Sequence, residues 1–363
     1  MNLKGYRYRL VEKKKRTLVI VLTLTGLLFF WPIVVFNFIR PKKLERRCIK
    51  NILIVRNDGI GDFVLSLPAL RVLRKAFPFA KITLLAPSWQ KEIASVVHLF
   101  DEILIPDQNQ SEYFAASLKP ASFFVGMLRL TPLLRKKHFD LGIDIRGDFR
   151  NRVILLLLGI PFRIGFDIGG LEYLLTHQVP YKAQIHETEH FMHLVPFRVG
   201  VTVEDVFSIP AEDLKAARNY LEQNNICVNE DLVVVVHPVS RWPAKEWPRK
   251  KFADLCDRLM RGKGAKIILV GSAEDQNAIK EVVELMKEKP LISAGILTLL
   301  QTAAAIKMAH LFIGNDAAPM HIAAAVETPV IALFGPTDPE IYGPRGQGHM
   351  VIRKTEFSCI CTF

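Results

Sequence analysis

The chain has little with which to build a metal site or a disulfide framework. Its five cysteines, at positions 48, 227, 256, 359 and 361, are scattered and odd in number, so reduced thiols are the expectation. Cys359-Ile-Cys361 lacks the second ligand pair that a zinc site needs. No Asp, Glu and His cluster with metal-ligand spacing lies near the loops discussed below, and neither a metal nor a cofactor is expected. Internal repeats and low-complexity tracts are also missing. Acidic residues are short, 36 against 48 Lys and Arg, for a net charge of +12. That excess does not belong to the body of the protein. Residues 1–16 carry about +6 and residues 40–50 about +5, which leaves residues 51–363 with about +1. A nearly neutral body disfavours a nucleic-acid partner.

What lies between the two basic flanks is a run without charge, Leu18–Ile39. At 1.5 Å per residue it is about 33 Å long as a helix, against a bilayer core of about 30 Å. Pro41-Lys42-Lys43 offers no small-residue cleavage site, so an uncleaved anchor in contact with membrane lipids is expected. Both flanks are basic, which leaves orientation almost tied. Trp31-Pro32 allows a spanning helix or a re-entrant hairpin.

After residue 50, strand and helix patterns alternate. Strands are expected at Asn51–Arg56, Lys81–Ala86, Glu102–Ile105 and Asp140–Ile145, with helices at Phe63–Phe77, Ser122–Lys137 and Asn151–Leu158. The span 107–121 reads as a mobile loop, and a helical pattern runs from His186 to Val199. A polar amphipathic helix at Ala211–Asn225 lies near the domain junction. A second series follows: strands at Leu232–His237, Ala265–Val270 and Val330–Phe334, and helices at Arg249–Arg261 and Glu274–Lys287. Between them, Ile313–Pro339 reads as strand, polar turn, helix opened by Pro319, and strand. Continuous apolar strands separated by helices mean parallel sheets. The expected architecture is α/β, two Rossmann-like domains facing across a cleft and preceded by the anchor helix. The boundaries are anchor 1–49, N-terminal domain 50–210, junction 211–229 and C-terminal domain 230–363. Ligands in such sheets bind beyond the carboxyl ends of the strands.

Those loops carry the polar residues. Asn57-Asp58-Gly59-Ile60-Gly61-Asp62 half-matches a dinucleotide fingerprint, but Val64 stands at the third glycine. The second strand also ends without a ribose-binding acid, which disfavours a nicotinamide enzyme. Asp62 is either a base aimed into the cleft or a helix N-cap. In the stiff loop after His237, Lys245 is either a placed phosphate partner or a solvated lysine. At Gly271-Ser272-Ala273-Glu274, Glu274 either accepts ribose hydroxyls or complements a helix dipole. The turn at Asp316 leads into a helix whose first N–H groups suit a diphosphate, with an ordinary cap as the alternative. His186-Glu187-Thr188-Glu189-His190 fits a zinc-peptidase pattern. It has no evident third ligand and precedes a junction rather than a cleft loop, which favours ordinary junction histidines.

Together these segments resemble glycosyltransferase family 9, the lipopolysaccharide heptosyltransferases of GT-B fold, over residues 51 to about 357. ILIVRNDGIGDFVLSLPAL is similar to the family's G-D-x-x-x-x-x-P-A opening, with Asp62 on the catalytic aspartate. Asp140, Asp144, Arg146 and Gly147 match its D-x-x-x-D-x-R-G segment. Lys245-Glu246-Trp247-Pro248 matches its K-x-W-P phosphate lysine, and Asp316 and His321 match its diphosphate loop. Ala317 and Ala318 depart from it, standing where Ser or Thr and then Gly are common. A positive φ at the second position would strain alanine.

The resemblance implies an inverting, metal-independent transferase. Its donor is a nucleotide-sugar, ADP-heptose in the family, bound by Ser240, Lys245, Ser272, Glu274, Asp316, Ala317, Ala318 and His321. Its acceptor is an anionic glycolipid, with Gly61, Arg146, Arg150 and Arg163 as candidates; core or surface arginines are the alternative. Other sugars or acceptors, or a membrane-anchored binding protein with a degenerate donor loop, remain open. The expected place is the inner membrane, held by the single anchor, with the catalytic body on the cytoplasmic side.

Overall fold

The computed structural model describes residues 44–105, 131–197 and 207–354. The run expected to anchor the chain, Leu18–Ile39, lies outside the described residues. So do the 107–121 loop, Cys359 and Cys361, and the helix expected over 122–137 except its last turns. Among the described residues no helix is long and apolar enough to cross a membrane. Cys48, Cys227 and Cys256 are all free.

The described residues form two compact units, 44–59 with 66–197, and 60–65 with 207–354. The first is built on a parallel sheet of β1 (Asn51–Val55), β2 (Lys81–Leu85), β3 (Glu102–Leu104), β4 (Leu141–Asp144), β5 (Phe162–Phe166) and β6 (His177–Val179). Its strand order is β3-β2-β1-β4-β5-β6. The chain therefore steps outward from β1, then returns to the other side of β1 at β4. Helices α1 (Ile60–Ala76), α2 (Lys91–Val96), α3 (Phe149–Leu157) and α4 (Glu187–His193) connect the strands or follow them. Leu53, Val55, Leu85, Ile154, Leu155 and Ile160 pack into one buried cluster between sheet and helix.

The second unit repeats this topology. Strands β7 (Val233–His237), β8 (Lys266–Leu269), β9 (Leu291–Ile292), β10 (Leu311–Asn315), β11 (Val330–Phe334) and β12 (Met350–Arg353) lie parallel in the order β12-β11-β10-β7-β8-β9. The helices are α5 (Ala211–Gln223), α6 (Arg249–Lys263), α7 (Gln276–Glu284), α8 (Leu299–Met308), α9 (Ala318–Ala325) and α10 (Pro339–Tyr342). β7 is buried throughout, as a central parallel strand covered on both faces must be. Helix α6 stops at Gly264, whose φ of 66° gives the left-handed cap glycine tolerates best. Phe252, Ala253 and Cys256 of α6 pack on Val234, Val236 and Leu269. Burial pushes the Cys256 thiol up to about 12, so it behaves as a small apolar side chain.

Strands β5, β6, β9 and β12 were not expected from the sequence. β5 interrupts its apolar run with Arg163, and β6, β9 and β12 are short strands at or next to a sheet edge. The structure removes Arg163 from the acceptor candidates. Its guanidinium is buried and donates to the carbonyls of Leu174 at 2.7 Å and Ile160 at 2.6 Å. Burial lowers its pKa to about 10. It ties the β5–β6 connection at Leu174 to the turn before β5 at Ile160.

Candidate donor and acceptor sites

In each sheet the order reverses between two adjacent strands, β1 and β4 in the first and β7 and β10 in the second. Beyond the carboxyl ends of such a pair the loops part and leave a crevice. In the second unit the two loops there carry Lys245 and Asp316. The Lys245 ammonium lies 2.7 Å from Asp316 Oδ2. Thr337 Oγ1, from the loop after β11, donates to the same oxygen at 2.7 Å. His321 Nε2 approaches the other oxygen, Oδ1, at 3.8 Å. Two loops and helix α9 thus converge on one buried carboxylate.

The loop that carries Lys245 is braced from both sides. Asn315 Oδ1 accepts from the Trp247 N–H at 3.0 Å, and Glu246 Oε1 accepts from the Ser240 N–H at 2.9 Å. Ser240 Oγ accepts from the Trp242 N–H at 3.3 Å, so its hydroxyl already shapes the loop. The Trp242 ring stands 5.4 Å from the ammonium. Lys245 is therefore a placed cation, not a solvated one. Asn315 Nδ2 and His237 Nδ1, at the ends of β10 and β7, are buried without a hydrogen-bond partner among the described residues. Burial pushes His237 down to about 4, against the pull of Asp275.

Helix α9 begins at Ala318, with Ala317 as N-cap and no side-chain cap bond. The alternative reading of Asp316 as an ordinary cap does not hold: Ala317 is the N-cap, and the Asp316 carboxylate engages Lys245 and Thr337. The strain foreseen at Ala318 does not arise either. Ala317 is extended, with φ −152° and ψ 169°, and Ala318 is already helical, so neither needs a positive φ. With no hydroxyl at Ala317, the first N–H groups of α9 have no cap from that side chain. Ser272 and Asp275 form a reciprocal capping box, with Ser272 Oγ to Asp275 Oδ2 at 2.7 Å. Glu274 stands exposed beside it, in the turn ahead of α7.

Asp62 sits in the first turn of α1, and Gly59, not Asp62, is the N-cap. Residues 60–65 group with the second unit. Gly61 shows why: a Cβ there would lie 2.8 Å from His321 Cδ2 and 3.3 Å from the Ala318 Cα. Any Cβ at Gly61 would push His321 aside, and its absence lets the turn bearing Asp62 lie against the start of α9.

In the first unit the loop after β4 is organised by Asp144. It accepts from the Gly147 and Asp148 N–H groups at 3.1 and 3.0 Å and from Asn151 Nδ2 at 2.8 Å. Burial nevertheless lifts its pKa to about 6, opposed by Arg152 nearby. Gly147 takes φ +74°, a turn that glycine tolerates best. Asp140 instead accepts the Lys50 and Asn51 N–H groups, a structural tie at the opposite edge of the sheet. Arg146 donates to the Asn57 carbonyl, linking the loops after β4 and β1. Arg150 forks onto Asp148, with its closest contact at 2.6 Å.

One buried residue of this region, Arg56, is not among the sequence candidates. Arg56 is fully buried, paired with Asp58 at 2.9 Å, and its guanidinium stands 4.6 Å from the Phe191 ring centroid. The zinc-peptidase pattern is structural: His186 caps α4, and His190 stacks on Tyr181 with 4.1 Å between ring centroids. Among the described residues no group of three His, Cys, Asp or Glu could hold a metal ion.

The profile of glycosyltransferase family 9 (heptosyltransferase) matches residues 127–363. The chain belongs to glycosyltransferase family 9. Among curated relatives, this family 9 chain is 29% identical over 293 residues to lipopolysaccharide heptosyltransferase 3 of Escherichia coli. That match covers 78% of this chain and 83% of the relative. Among solved structures it resembles a family 9 glycosyltransferase from Veillonella parvula, with a TM-score of 0.72 at 24% identity, covering 85% of this chain and 86% of that one. It also resembles the ADP-heptose lipopolysaccharide heptosyltransferase II of E. coli, with a TM-score of 0.71 at 23% identity, covering 85% and 91%. Both likenesses are likenesses of fold. The two parallel-sheet α/β domains of this chain match these structures, and family membership makes the chain a glycosyltransferase.

Proposed function

We propose that this family 9 member transfers a heptose from ADP-heptose to a lipopolysaccharide-core or other anionic glycolipid acceptor, with inversion and without a metal. The observation that carries the reading is the Lys245–Asp316–Thr337 cluster at the strand-order reversal of the second sheet. It fixes a cation beside a helix N-terminus that has no side-chain cap, which together suit a diphosphate. The relatives' names supply the sugar and the nucleotide.

In this reading Lys245 leaves Asp316 for the diphosphate, while Thr337 keeps Asp316 in place. Lys245, the first N–H groups of α9 and His321 stabilise the charge that grows on the departing diphosphate. Ala317 and Ala318 contribute their backbone, Ser240 and Ser272 shape the loops around the nucleotide, and Glu274 accepts the ribose hydroxyls. Asp62 takes the proton of an acceptor hydroxyl as its oxygen attacks the anomeric carbon. One displacement breaks the sugar–phosphate bond and inverts the anomeric centre. Gly61, Arg146 and Arg150 border the acceptor, and Arg163 has no part in it. A donor made on nucleotide in the cytosol puts the catalytic body on the cytoplasmic side of the inner membrane, with the 1–49 segment as anchor.

Replacement of the common hydroxyl and glycine by Ala317 and Ala318 favours one second reading, a different nucleotide-sugar in the same site. Thermal shifts with ADP, UDP, GDP and CDP, followed by their sugars, separate the two. The ADP series must stabilise most. A larger shift with another nucleotide overturns the donor assignment.

A further inference from the structure

The amino-terminal edge of the first sheet lies at the opposite end of the strands from the loops just described. Lys81 and Asn51 are register partners at the starts of β2 and β1, and the Lys81 N–H donates to the Lys50 carbonyl at 2.7 Å. Arg46 reaches the Lys75 carbonyl at 3.5 Å, which brings residues 46–50 alongside the turn that ends α1. That turn presents Phe79, which is 99% exposed. Around it Arg46, Arg47, Lys50, Lys75 and Lys81 are all exposed. The acids of this edge are already engaged. Glu45 pairs with Arg47, Glu102 with Lys137 and Lys81, and Asp101 with Arg74, while Asp140 takes two backbone N–H groups. The edge keeps a surplus of positive charge around one fully exposed aromatic ring.

An isolated exposed apolar residue needs no explanation. A phenylalanine ringed by cations, on the edge where the chain arrives from an uncharged 22-residue run ending at Ile39, fits a specific partner. We infer that this edge is a membrane-docking face, laying Phe79 at the headgroup boundary of an anionic bilayer with Arg47, Lys50 and Lys75 over its phosphates. Where the 18–39 run inserts in a bilayer, as its length and lack of charge lead one to expect, the five residues from Ile39 to Leu44 span at most about 18 Å, so this edge stays near the headgroups. Aromatic rings favour that boundary, and each cation near an anionic surface strengthens binding about five-fold. The inference is independent of the donor chemistry, because it is read without turnover.

The test uses the full chain reconstituted in vesicles, with Phe79→Trp compared with the parent chain so that the four native tryptophans subtract out. In vesicles of phosphatidylglycerol and brominated phosphatidylcholine, the added emission should be blue-shifted and quenched. Combining it with Arg47→Glu, Lys50→Glu and Lys75→Glu, or replacing phosphatidylglycerol with phosphatidylcholine, should remove the quenching. Those side chains are exposed, and an unchanged circular dichroism spectrum confirms that the fold persists. Emission at the wavelength of a water-exposed tryptophan, unquenched in anionic vesicles, overturns the docking face. Equal quenching in neutral vesicles, or in the charge-reversed variant, overturns its electrostatic basis. Protection of residues 75–81 from deuterium exchange on anionic vesicles gives a readout without the new tryptophan, and its absence counts against the face in the same way.

Discussion

Replacing Lys245 by alanine separates a phosphate-binding lysine from a structural one, and its size can be worked out beforehand. In the unliganded protein the ammonium is paired with Asp316, whose side chain is 5% exposed against 19% for the lysine. Thr337 keeps its bond to the same oxygen after the change. Partial exposure of the lysine screens the pair, so the fold should lose only about 1–2 kcal/mol. The ligand loses more selectively. A charge-assisted hydrogen bond to an outer phosphate is worth about 1.5–3 kcal/mol, which is about 10- to 150-fold in Kd. Isothermal titration with AMP and ADP reads this directly. ADP should weaken by that factor in Lys245→Ala, while AMP, which lacks the outer phosphate, should change by no more than a few-fold. Equal losses for both nucleotides would place Lys245 away from the diphosphate and refute the reasoning.

Asp62→Asn should lower turnover by about 10²–10⁴, the usual worth of a positioned base, with donor affinity within a few-fold; near-normal turnover removes Asp62 from the chemistry. Thr337→Val should raise the KM for donor and cost about 1 kcal/mol in stability, because it strips a hydrogen bond from buried Asp316, and Thr337→Ser should restore both. No recovery with serine would mean that Thr337 packs rather than positions. His237 is buried and neutral, with its pKa pushed down to about 4. The unfolded chain therefore takes up the proton first, and stability falls as pH drops from about 6.5 to 4, by about 3 kcal/mol. Asp144, lifted to about 6, works the other way between about 4 and 6, so the effect is read as the difference between the parent chain and His237→Gln. A pH profile unchanged by that substitution would contradict the buried neutral state.

Much of the second unit was legible because its strands advertise themselves. Val233–His237 and Val330–Phe334 are unbroken apolar runs, and the residues between them alternate with clear helical periods. The sequence could also nominate Lys245 and Asp316, since polar residues at the carboxyl ends of parallel strands have few packing reasons to be there. It could not show that the two side chains meet. They are separated by 71 positions, and only the placement of β7 beside β10 joins them. Thr337 is not among the sequence candidates for the same reason: its partner lies on a different loop, 21 positions away. Arg163 shows the converse: the sequence leaves it open between an acceptor contact and a core arginine, and only its carbonyl partners decide for the core. Ala317 and Ala318 looked like a defect because the backbone angles they require were unknown. The structure gives them extended and helical conformations that alanine adopts freely.

The central claim is that this chain moves a sugar from a nucleotide to a lipid-linked acceptor by a single displacement. The most direct measurement incubates the full chain, in detergent and with EDTA present, with ADP-heptose and a lipopolysaccharide-core acceptor. Acceptor mass and the anomeric configuration of the product are then read together. The account predicts one added heptosyl unit, release of ADP, and an inverted anomeric centre. Retention of configuration, dependence on added Mg²⁺ or Mn²⁺, or ADP-heptose that binds without any transfer would contradict it.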